Sequence, residues 1–260
     1  MGVAAPQHPT ARAAVEAARA AGEVAMRYYR GGFEITIKPD QTPVTQADRE
    51  AEQTITESLR RAFPDVGFLG EEFGQAGPTD RRWIIDPIDG TKNFVRHLPI
   101  WAVLIALEED GEITTGVVHN PASGDLFWAR KGEGAYGNGQ RLRVSDCATL
   151  ADAFLIHSSL GLLRPTPYWP GFVRLIDATS RTRGFGDYYG YCVVAEGKGE
   201  IYVEVDLKPW DVAPMKILIE EAGGRLTDFS GRPNIYDGSV VATNGRLHEE
   251  TLRLLRPQRA

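Results

Sequence analysis

The sequence predicts an α+β fold, built as one continuous unit from two halves, residues 1–146 and 147–260. Three observations predict it. Helical periodicity opens the chain, a run of short strands joined by tight turns occupies residues 83–145, and strands alternate with helices after Cys147. No linker separates the two halves, so we expect them to pack against each other.

Two helices are expected at the start of the chain. Between residues 10 and 30, alanines and Tyr28 recur at intervals of three and four residues, with charged side chains elsewhere. A second helix is expected to begin near Thr45 and to end before Pro64. The segment VGFLGEE then predicts a short strand that ends at Gly70.

Residues 83–145 have the pattern of a β-meander. Strands are expected in WII, WAVLIALEE, ITTGVVHN, DLFWAR and LRVS, separated by the turns DGE, NPASG and GNGQ. This pattern predicts an antiparallel sheet. The segment GEGAYG, residues 132–137, matches a dinucleotide-binding glycine pattern, but a turn and a strand follow it instead of a helix. We therefore interpret its glycines as hairpin residues.

The pattern after Cys147 predicts strands in DAFLIHSS, TRGFG, EIYVEVD, RLTDF and SVVATN. Helices are expected in DYYGYCVVAEGKG, WDVAPMKILIEEAGG and LHEETLRLLR. The glycine pair that ends the second of these helices suits a left-handed C-terminal cap.

Composition excludes several classes of protein. The 260 residues carry a net charge of −6 without a block of like charge, so a basic nucleic-acid-binding surface is not expected. No apolar stretch is long enough to span a bilayer, and the first residues lack the apolar core of a signal peptide, so no membrane partner is expected. Cys147 and Cys192 lie far apart without a CxxC context, which indicates a reducing cytoplasm.

The segment WIIDPIDGTKNF places Asp86 and Asp89 three residues apart, directly after a buried strand. Asp89 could cap a short helix that begins at Gly90 and Thr91, but a cap explains only one of the two aspartates. Two adjacent carboxylates repel each other unless a cation lies between them, and oxygen ligands suit Mg²⁺, Mn²⁺ or Ca²⁺. The N–H groups of Gly90 and Thr91 would begin a helix and so provide an anion site. The segment therefore predicts a metal site beside a phosphate site.

Other acids have a structural interpretation when each is taken alone. Glu71 and Glu72 follow a glycine, which is typical of a solvated turn. Asp48 of TQAD fits a capping box with Thr45. Asp211 of WDVA lies in the first turn of a helix, where the macrodipole favours an anion.

Three segments together resemble the signatures of the inositol monophosphatase family: GEE, WIIDPIDGTKNF and PWDVAPMKILIEEAGG. Members of that family are lithium-sensitive, magnesium-dependent phosphomonoesterases. The likeness extends from the PVTQAD helix start to VVATN. It implies a layered αβαβα sandwich of the inositol monophosphatase and fructose-1,6-bisphosphatase type. It also implies two or three bound Mg²⁺ ions, for which Mn²⁺ can substitute, and a homodimer, although no residue pattern marks an interface.

The resemblance also assigns roles to residues at matching positions. The implied metal ligands are Glu71, Asp86, the carbonyl oxygen of Ile88, Asp89 and Asp211. The residues implied to take part in activating the attacking water are Glu71, Thr91 and Asp48. The residues of these segments that are expected to contact the substrate are Asp89, Gly90, Thr91 and Asp211. No covalent nucleophile is required, because metal ions can lower the pKa of a bound water.

The segment RTRGFGDYYGY, residues 181–191, resembles the histidinol-phosphatase branch of the family. Histidinol phosphate carries an amine and an imidazole, so Asp187 and Glu204 are expected to offer it carboxylates, while Arg183 is expected to meet the phosphate. Asp187 could instead cap the helix that follows it. The alternatives are an inositol monophosphatase or a broad sugar-phosphate phosphatase, and a binding protein with a degenerate site. The last is disfavoured because every metal ligand is present.

Overall fold

Eight α-helices and two large sheets form the part of the chain that the computed structural model describes, residues 5–32, 35–37 and 43–257. The helices are α1 (Pro9–Gly31), α2 (Gln46–Ala62), α3 (Thr91–Phe94), α4 (Leu160–Leu163), α5 (Trp169–Ala178), α6 (Asp187–Ala195), α7 (Pro209–Glu221) and α8 (His248–Leu255). The strands are β1 (Ile35–Ile37), β2 (Pro43–Thr45), β3 (Gly67–Gly70), β4 (Gly74–Ala76), β5 (Arg81–Asp89), β6 (Ala102–Glu109), β7 (Glu112–Asn120), β8 (Asp125–Arg130), β9 (Gly134–Gly137), β10 (Gln140–Arg141), β11 (Phe154–His157), β12 (Arg181–Gly184), β13 (Ile201–Val205), β14 (Arg225–Thr227) and β15 (Ser239–Thr243).

These elements stack in five layers. Helices α1 and α2 cover one face of an eight-stranded sheet whose order is β10-β9-β8-β7-β6-β5-β3-β4. Helices α6 and α7 lie between this sheet and a five-stranded sheet, whose order is β12-β11-β13-β15-β14. Helices α5 and α8 cover the outer face of the smaller sheet. The α+β fold and the αβαβα sandwich that the sequence predicts are therefore confirmed.

Helix α1 presents small side chains to its neighbours in the first layer. Its buried face is built largely from alanine, including Ala14, Ala18, Ala21 and Ala25, none of which is exposed to solvent. Small side chains let the helix backbone approach the sheet and α2 closely while excluding water. Strands β1 and β2 form a separate antiparallel pair that leads into α2.

The antiparallel meander that the sequence predicts over residues 83–145 is confirmed, but the large sheet also contains one parallel pair outside it. Strands β5 to β10 form antiparallel neighbours, but β3 pairs with β5 in parallel. The reason is the path of the chain. Strand β4 turns back along one edge of β3, and the next strand, β5, lies on the other edge of β3, where it runs in the same direction as β3.

Strand β5 continues through both aspartates of the DPID segment instead of ending before them. Its pairing with β6 runs as far as Asp86, opposite Leu104, and resumes at Asp89, opposite Ala102. Three residue steps on one strand thus match two on the other, which makes a β-bulge. Pro87 lies within this bulge, where it does not interrupt a regular ladder. The bulge sets the directions in which the two carboxylates point.

One local prediction is wrong, and two helices were not predicted. LRVS is not a strand, because the ladder ends at Gln140–Arg141 and the N–H of Val144 donates instead to the carbonyl of Ala222 beyond α7. Helices α4 and α5 lie in a segment for which the sequence predicted no element. The GEGAYG interpretation is confirmed, since Gly134–Gly137 is a strand and a turn to β10 follows. Within the described residues, no helix is both long and apolar enough to cross a membrane.

Candidate active site

Three carboxylates converge where the two halves of the chain meet. Asp86 and Asp89 come from the bulge in β5, and Asp211 comes from the first turn of α7. Each of these side chains offers an oxygen, and the three oxygens lie within 4.8 Å of one another. Among the described residues, none of the three forms an ion pair with a lysine or arginine.

Backbone N–H groups orient these carboxylates. Oδ1 of Asp86 accepts from the N–H of Ile88 at 2.9 Å, and Oδ2 of Asp89 accepts from the N–H of Tyr188 at 2.7 Å. The alternative in which Asp89 caps the following helix is wrong, because Gly90 is the N-cap of α3 and no side chain caps it. Gly90 adopts φ 79°, a conformation that favours glycine.

Burial and mutual repulsion disfavour the charged forms of this cluster. Burial raises the pKa of Asp86 well above its ordinary value, and the nearby charges of Glu71 and Asp89 raise it further. Burial also raises the pKa of Asp211 to about 7. An all-oxygen donor set with uncompensated negative charge fits a hard divalent cation such as Mg²⁺. The residues present therefore fit the metal site that the resemblance implies.

Asp48 lies beside this cluster on α2. Its Oδ2 accepts from both the N–H and the hydroxyl of Thr45, each at 2.7 Å, so the predicted capping box is present. Its Oδ1 is buried and has no hydrogen-bond partner among the described residues. Burial raises the pKa of Asp48 to about 7, and the charges of Glu72 and Glu71 add to this effect. Asp48 is thus a helix cap whose second carboxylate oxygen is buried and not used by the cap.

Glu71, Thr91 and Ile88 complete the predicted metal and water-activating set. The N–H of Glu71 donates to the carbonyl of Ile85 at 3.1 Å, which ties the turn after β3 to β5. The hydroxyl of Thr91 donates to the carbonyl of Ile88 at 3.0 Å. The carbonyl of Ile88 is thereby directed toward the start of α3, beside the two aspartates.

Asp187 and Glu204 add carboxylates from the second half of the chain. The capping alternative for Asp187 is wrong, because Oδ2 accepts instead from the amide Nδ2 of Asn93 at 2.8 Å and no side chain caps α6. Glu204 accepts from the hydroxyl of Tyr191 at 3.1 Å. Burial raises the pKa of Glu204 to about 8, opposed by a hydrogen bond from Ser158 and increased by the charge of Asp187.

Among the described residues, Arg183 makes no hydrogen bond or ion pair with the acidic cluster. Arg183 lies on β12, the edge strand of the smaller sheet, and its side chain is exposed. Its Nη1 donates to the carbonyl of Thr182, its own chain neighbour, at 2.7 Å. An edge strand leaves long side chains in solvent, and the sequence pattern carried no information on that position. A phosphate contact by Arg183 stays a prediction.

Sequence reasoning missed two residues that hold site residues in place. Glu52 is buried on α2 and accepts from the N–H groups of Glu72 and Phe73. Asn93 bonds Asp187 and also donates to the carbonyl of Ile100 at 2.9 Å. Glu52 had a visible signal, since it is an acid beside apolar positions of α2, four residues after Asp48.

Comparison with known proteins agrees with this geometry. Residues 7–260 match the inositol monophosphatase family. The chain belongs to the inositol monophosphatase family. A histidinol-phosphatase of Mycobacterium tuberculosis is 48% identical over 228 residues, which cover 85% of this chain and 87% of that protein. A histidinol-phosphatase of Streptomyces coelicolor is 44% identical over 86% of this chain and 87% of that protein.

Solved structures of this family share the fold. The extragenic suppressor protein suhB of Bartonella henselae superimposes with a TM-score of 0.89 at 34% identity, covering 96% of this chain and 99% of that one. An inositol monophosphatase of Anabaena gives a TM-score of 0.84 at 33% identity, covering 95% and 96%. The layers described above are therefore those of the family.

Proposed function

We propose that this protein is a magnesium-dependent phosphomonoesterase that hydrolyses histidinol phosphate to histidinol and inorganic phosphate. The observation that carries the reaction class is the carboxylate cluster of buried Asp86 and Asp89 with half-buried Asp211, whose charge no basic side chain among the described residues neutralises. The substrate follows from two further carboxylates, Asp187 and Glu204, and from the similarity to proteins named histidinol-phosphatase at 40–48% identity.

The chain offers ligands for two or three Mg²⁺ ions, with Mn²⁺ as a substitute. The proposed ligands are Glu71, Asp86, the carbonyl oxygen of Ile88, Asp89 and Asp211. When bound, such ions lower the pKa of a water molecule and stabilise charge on the attacking and leaving oxygens.

Three residues are proposed to handle the proton of the attacking water. The proton of the Thr91 hydroxyl is already donated to Ile88, so the Thr91 oxygen keeps lone pairs that can accept from water. Oδ1 of Asp48 has no hydrogen-bond partner within the described part of the chain, and that oxygen can take up a proton. Glu71 is proposed to act with them from the turn after β3. The N–H groups of Gly90 and Thr91 are proposed to hold the phosphate.

Charge supports histidinol phosphate over a neutral polyol phosphate. Asp187 and Glu204 are close enough for the charge of Asp187 to raise the pKa of Glu204. Two such carboxylates favour a leaving group that carries an amine and an imidazole, because a cationic group relieves their repulsion. Arg183 is proposed to meet the phosphate only if its side chain reorients on binding.

The alternative activity is that of an inositol monophosphatase or a broad sugar-phosphate phosphatase. It is supported by an inositol-1-monophosphatase of Caulobacter vibrioides that is 38% identical over 93% of this chain. A degenerate binding protein is the non-enzymatic alternative, and the complete carboxylate set argues against it.

A substrate panel tests these alternatives. Phosphate release is measured with histidinol phosphate, inositol 1-phosphate and glycerol phosphate, each with Mg²⁺, with Mn²⁺ and in excess chelator. We expect release that requires the metal, is inhibited by lithium, and is fastest with histidinol phosphate. Faster release from inositol 1-phosphate would reject the proposed substrate. Full turnover in chelator would reject the metal mechanism, and no release from any ester would support the binding protein.

We further propose a cytoplasmic homodimer that acts in histidine biosynthesis. Both cysteines are free thiols, which suits a reducing compartment. We also propose that residues 1–146 and 147–260 form one structural unit, because the site takes Asp86 and Asp89 from the first half and Asp211 from the second. Light scattering of the purified protein tests the dimer.

A further inference from the structure

Glu52 is a buried carboxylate that the proposed reaction does not use. It lies on α2 one turn after Asp48, and only 2% of the residue is exposed. Among the described residues, no lysine or arginine pairs with it. Its oxygens accept instead from two consecutive backbone N–H groups, those of Glu72 at 2.8 Å and of Phe73 at 3.1 Å.

These two N–H groups belong to the turn between β3 and β4, which begins at Glu71. The turn is also held from the other side, because the N–H of Glu71 donates to the carbonyl of Ile85 on β5. Three successive N–H groups are thus fixed, one by the neighbouring strand and two by Glu52. The backbone of Glu71 has little freedom to rotate between them.

The absence of a side chain at Gly70 leaves room for this carboxylate. A Cβ atom at position 70 would lie 1.8 Å from Oε1 and 2.5 Å from Cδ of Glu52. The carboxylate therefore lies directly against the backbone of Gly70, and any larger residue there would push it away. This packing contact further restricts the backbone of the turn at the residue that precedes Glu71.

Burying a carboxylate at position 52 costs free energy, so we expect its hydrogen bonds to serve a function. Ala51 and Ile55 on the same helix are fully buried, so an apolar residue at position 52 would meet a compatible environment. Among the residues that the structure describes, this carboxylate has no cationic partner and is stabilised by the two N–H groups it accepts from. An apolar side chain would leave both of these groups without an acceptor on α2.

We propose that Glu52 is a positioning residue, which fixes the turn after β3 so that Glu71 directs its carboxylate into the cluster of Asp86 and Asp211. This inference rests on the proposed function, in which Glu71 is a metal ligand. Mutation of a residue that holds a metal ligand in place by a hydrogen bond commonly weakens metal binding by about 10- to 100-fold. The role of Glu52 is therefore in metal affinity, with no contact to the substrate.

Glu52→Gln tests the proposal with almost no change in volume. The amide presents its NH₂ group to one of the two backbone N–H groups, so that one hydrogen bond is lost and a repulsive contact replaces it. Titration calorimetry of the metal-free protein with Mn²⁺ should give roughly 10- to 100-fold weaker binding. The Mg²⁺ concentration for half-maximal turnover should rise by a similar factor, while kcat at saturating Mg²⁺ stays within about threefold of the wild-type value.

Two controls separate positioning from general stability. Glu57→Gln changes an exposed acid on the same helix, which bonds only Gln53 among the described residues, and it should leave Mn²⁺ binding unchanged. Glu71→Gln should weaken Mn²⁺ binding by itself. If Glu52 acts through Glu71, adding Glu52→Gln to Glu71→Gln should cause little further loss, which is a double-mutant cycle with strong coupling.

Each result supports or overturns a specific claim. Equal Mn²⁺ affinity of the wild type and Glu52→Gln would overturn the role of Glu52, even with a lower melting temperature. Additive losses in the cycle would do the same. If Glu52→Gln does not fold, Gly70→Ala displaces the carboxylate without removing it, and unchanged Mn²⁺ affinity of that variant overturns the proposal. No Mn²⁺ binding by the wild type would instead overturn the proposed function.

Discussion

At the scale of single residues, Asp187 combines an unusual backbone with a specific contact. Its φ is 55°, a left-handed value that side chains other than glycine adopt rarely and aspartate tolerates better than most. The amide of Asn93 holds its carboxylate from the other half of the chain. A strained residue that a distant side chain keeps in place is typical of a functional position.

Asp187→Ala should lower kcat/KM for histidinol phosphate and spare glycerol phosphate. The loss of a charge-assisted hydrogen bond to the substrate amine costs roughly 1.5–3 kcal/mol, or about ten- to hundredfold. Steady-state kinetics on both esters measures the difference, and Asp177→Ala, at an exposed position on α5, is the control. Equal losses on both esters would make Asp187 structural, and histidinol phosphate would then lose its main support from the site.

The sequence predicted the spatial neighbours of some site residues and not of others. The signature segments predicted Asp86, Asp89 and Asp211 as neighbours, and the structure brings their oxygens together. The contacts of Glu52 and Asn93 could not be predicted, because their partners lie 20 and 94 residues away in the chain. A side chain's partner across such a distance depends on the packing of whole layers, which local spacing does not encode.

At the scale of elements, the close approach of α7 to β7 positions Asp211. A Cβ atom at Gly116 would lie 2.5 Å from Cγ2 of Ile217 and 2.8 Å from the carbonyl oxygen of Pro214. A backbone carbonyl cannot move aside as a flexible side chain can, so the helix itself would have to shift. The glycine on β7 thus sets the distance between α7 and the large sheet.

Gly116→Ala should therefore destabilise the protein and weaken metal binding together. Overpacking of this kind costs about 1–3 kcal/mol, and the melting temperature of a chain of this size falls by roughly 2–4 °C per kcal/mol. Gly161→Ala on the short helix α4 is the matched control, since its nearest atom, Oγ of Ser159, would be 3.7 Å away. Thermal melting and Mn²⁺ calorimetry of both variants test the link, and an unchanged melting temperature for Gly116→Ala would contradict it.

The boundaries of helices with strong local periodicity were predictable from the sequence, but the pairing of strand β3 was not. The boundaries of α1 and α2 agree closely with the predicted ones because apolar spacing and the Thr45 capping box are local signals. The parallel pairing of β3 with β5 is decided by which edge of β3 the chain returns to, and nothing in either strand specifies that edge.

At the scale of the whole molecule, the site concentrates negative charge between the two sheets. Burial raises the pKa of Asp48, Glu52 and Asp211 to about 7 and that of Glu204 to about 8, from ordinary values of 3.8 for aspartate and 4.5 for glutamate. The folded chain therefore holds protons up to pH 7–8 that the unfolded chain has already released. Raising the pH from the ordinary carboxyl pKa through this range must lower the free energy of unfolding, by at most about 1.4 kcal/mol per pH unit for each such proton, and the effect ends once the folded form has also lost the proton.

The metal-free protein should consequently melt at a lower temperature at about pH 8.5 than at about pH 6.5. Mg²⁺ binds the deprotonated carboxylates, so it should raise the melting temperature more at the higher pH. Scanning calorimetry in chelator and in excess Mg²⁺ at both pH values measures the two effects.

The double variant Asp89→Asn with Asp211→Asn removes two charges from the cluster, so it should flatten the pH dependence and abolish the Mg²⁺ effect. A melting temperature that is independent of pH in chelator, or a Mg²⁺ effect that is equal at both values, would contradict a site built from repelling carboxylates.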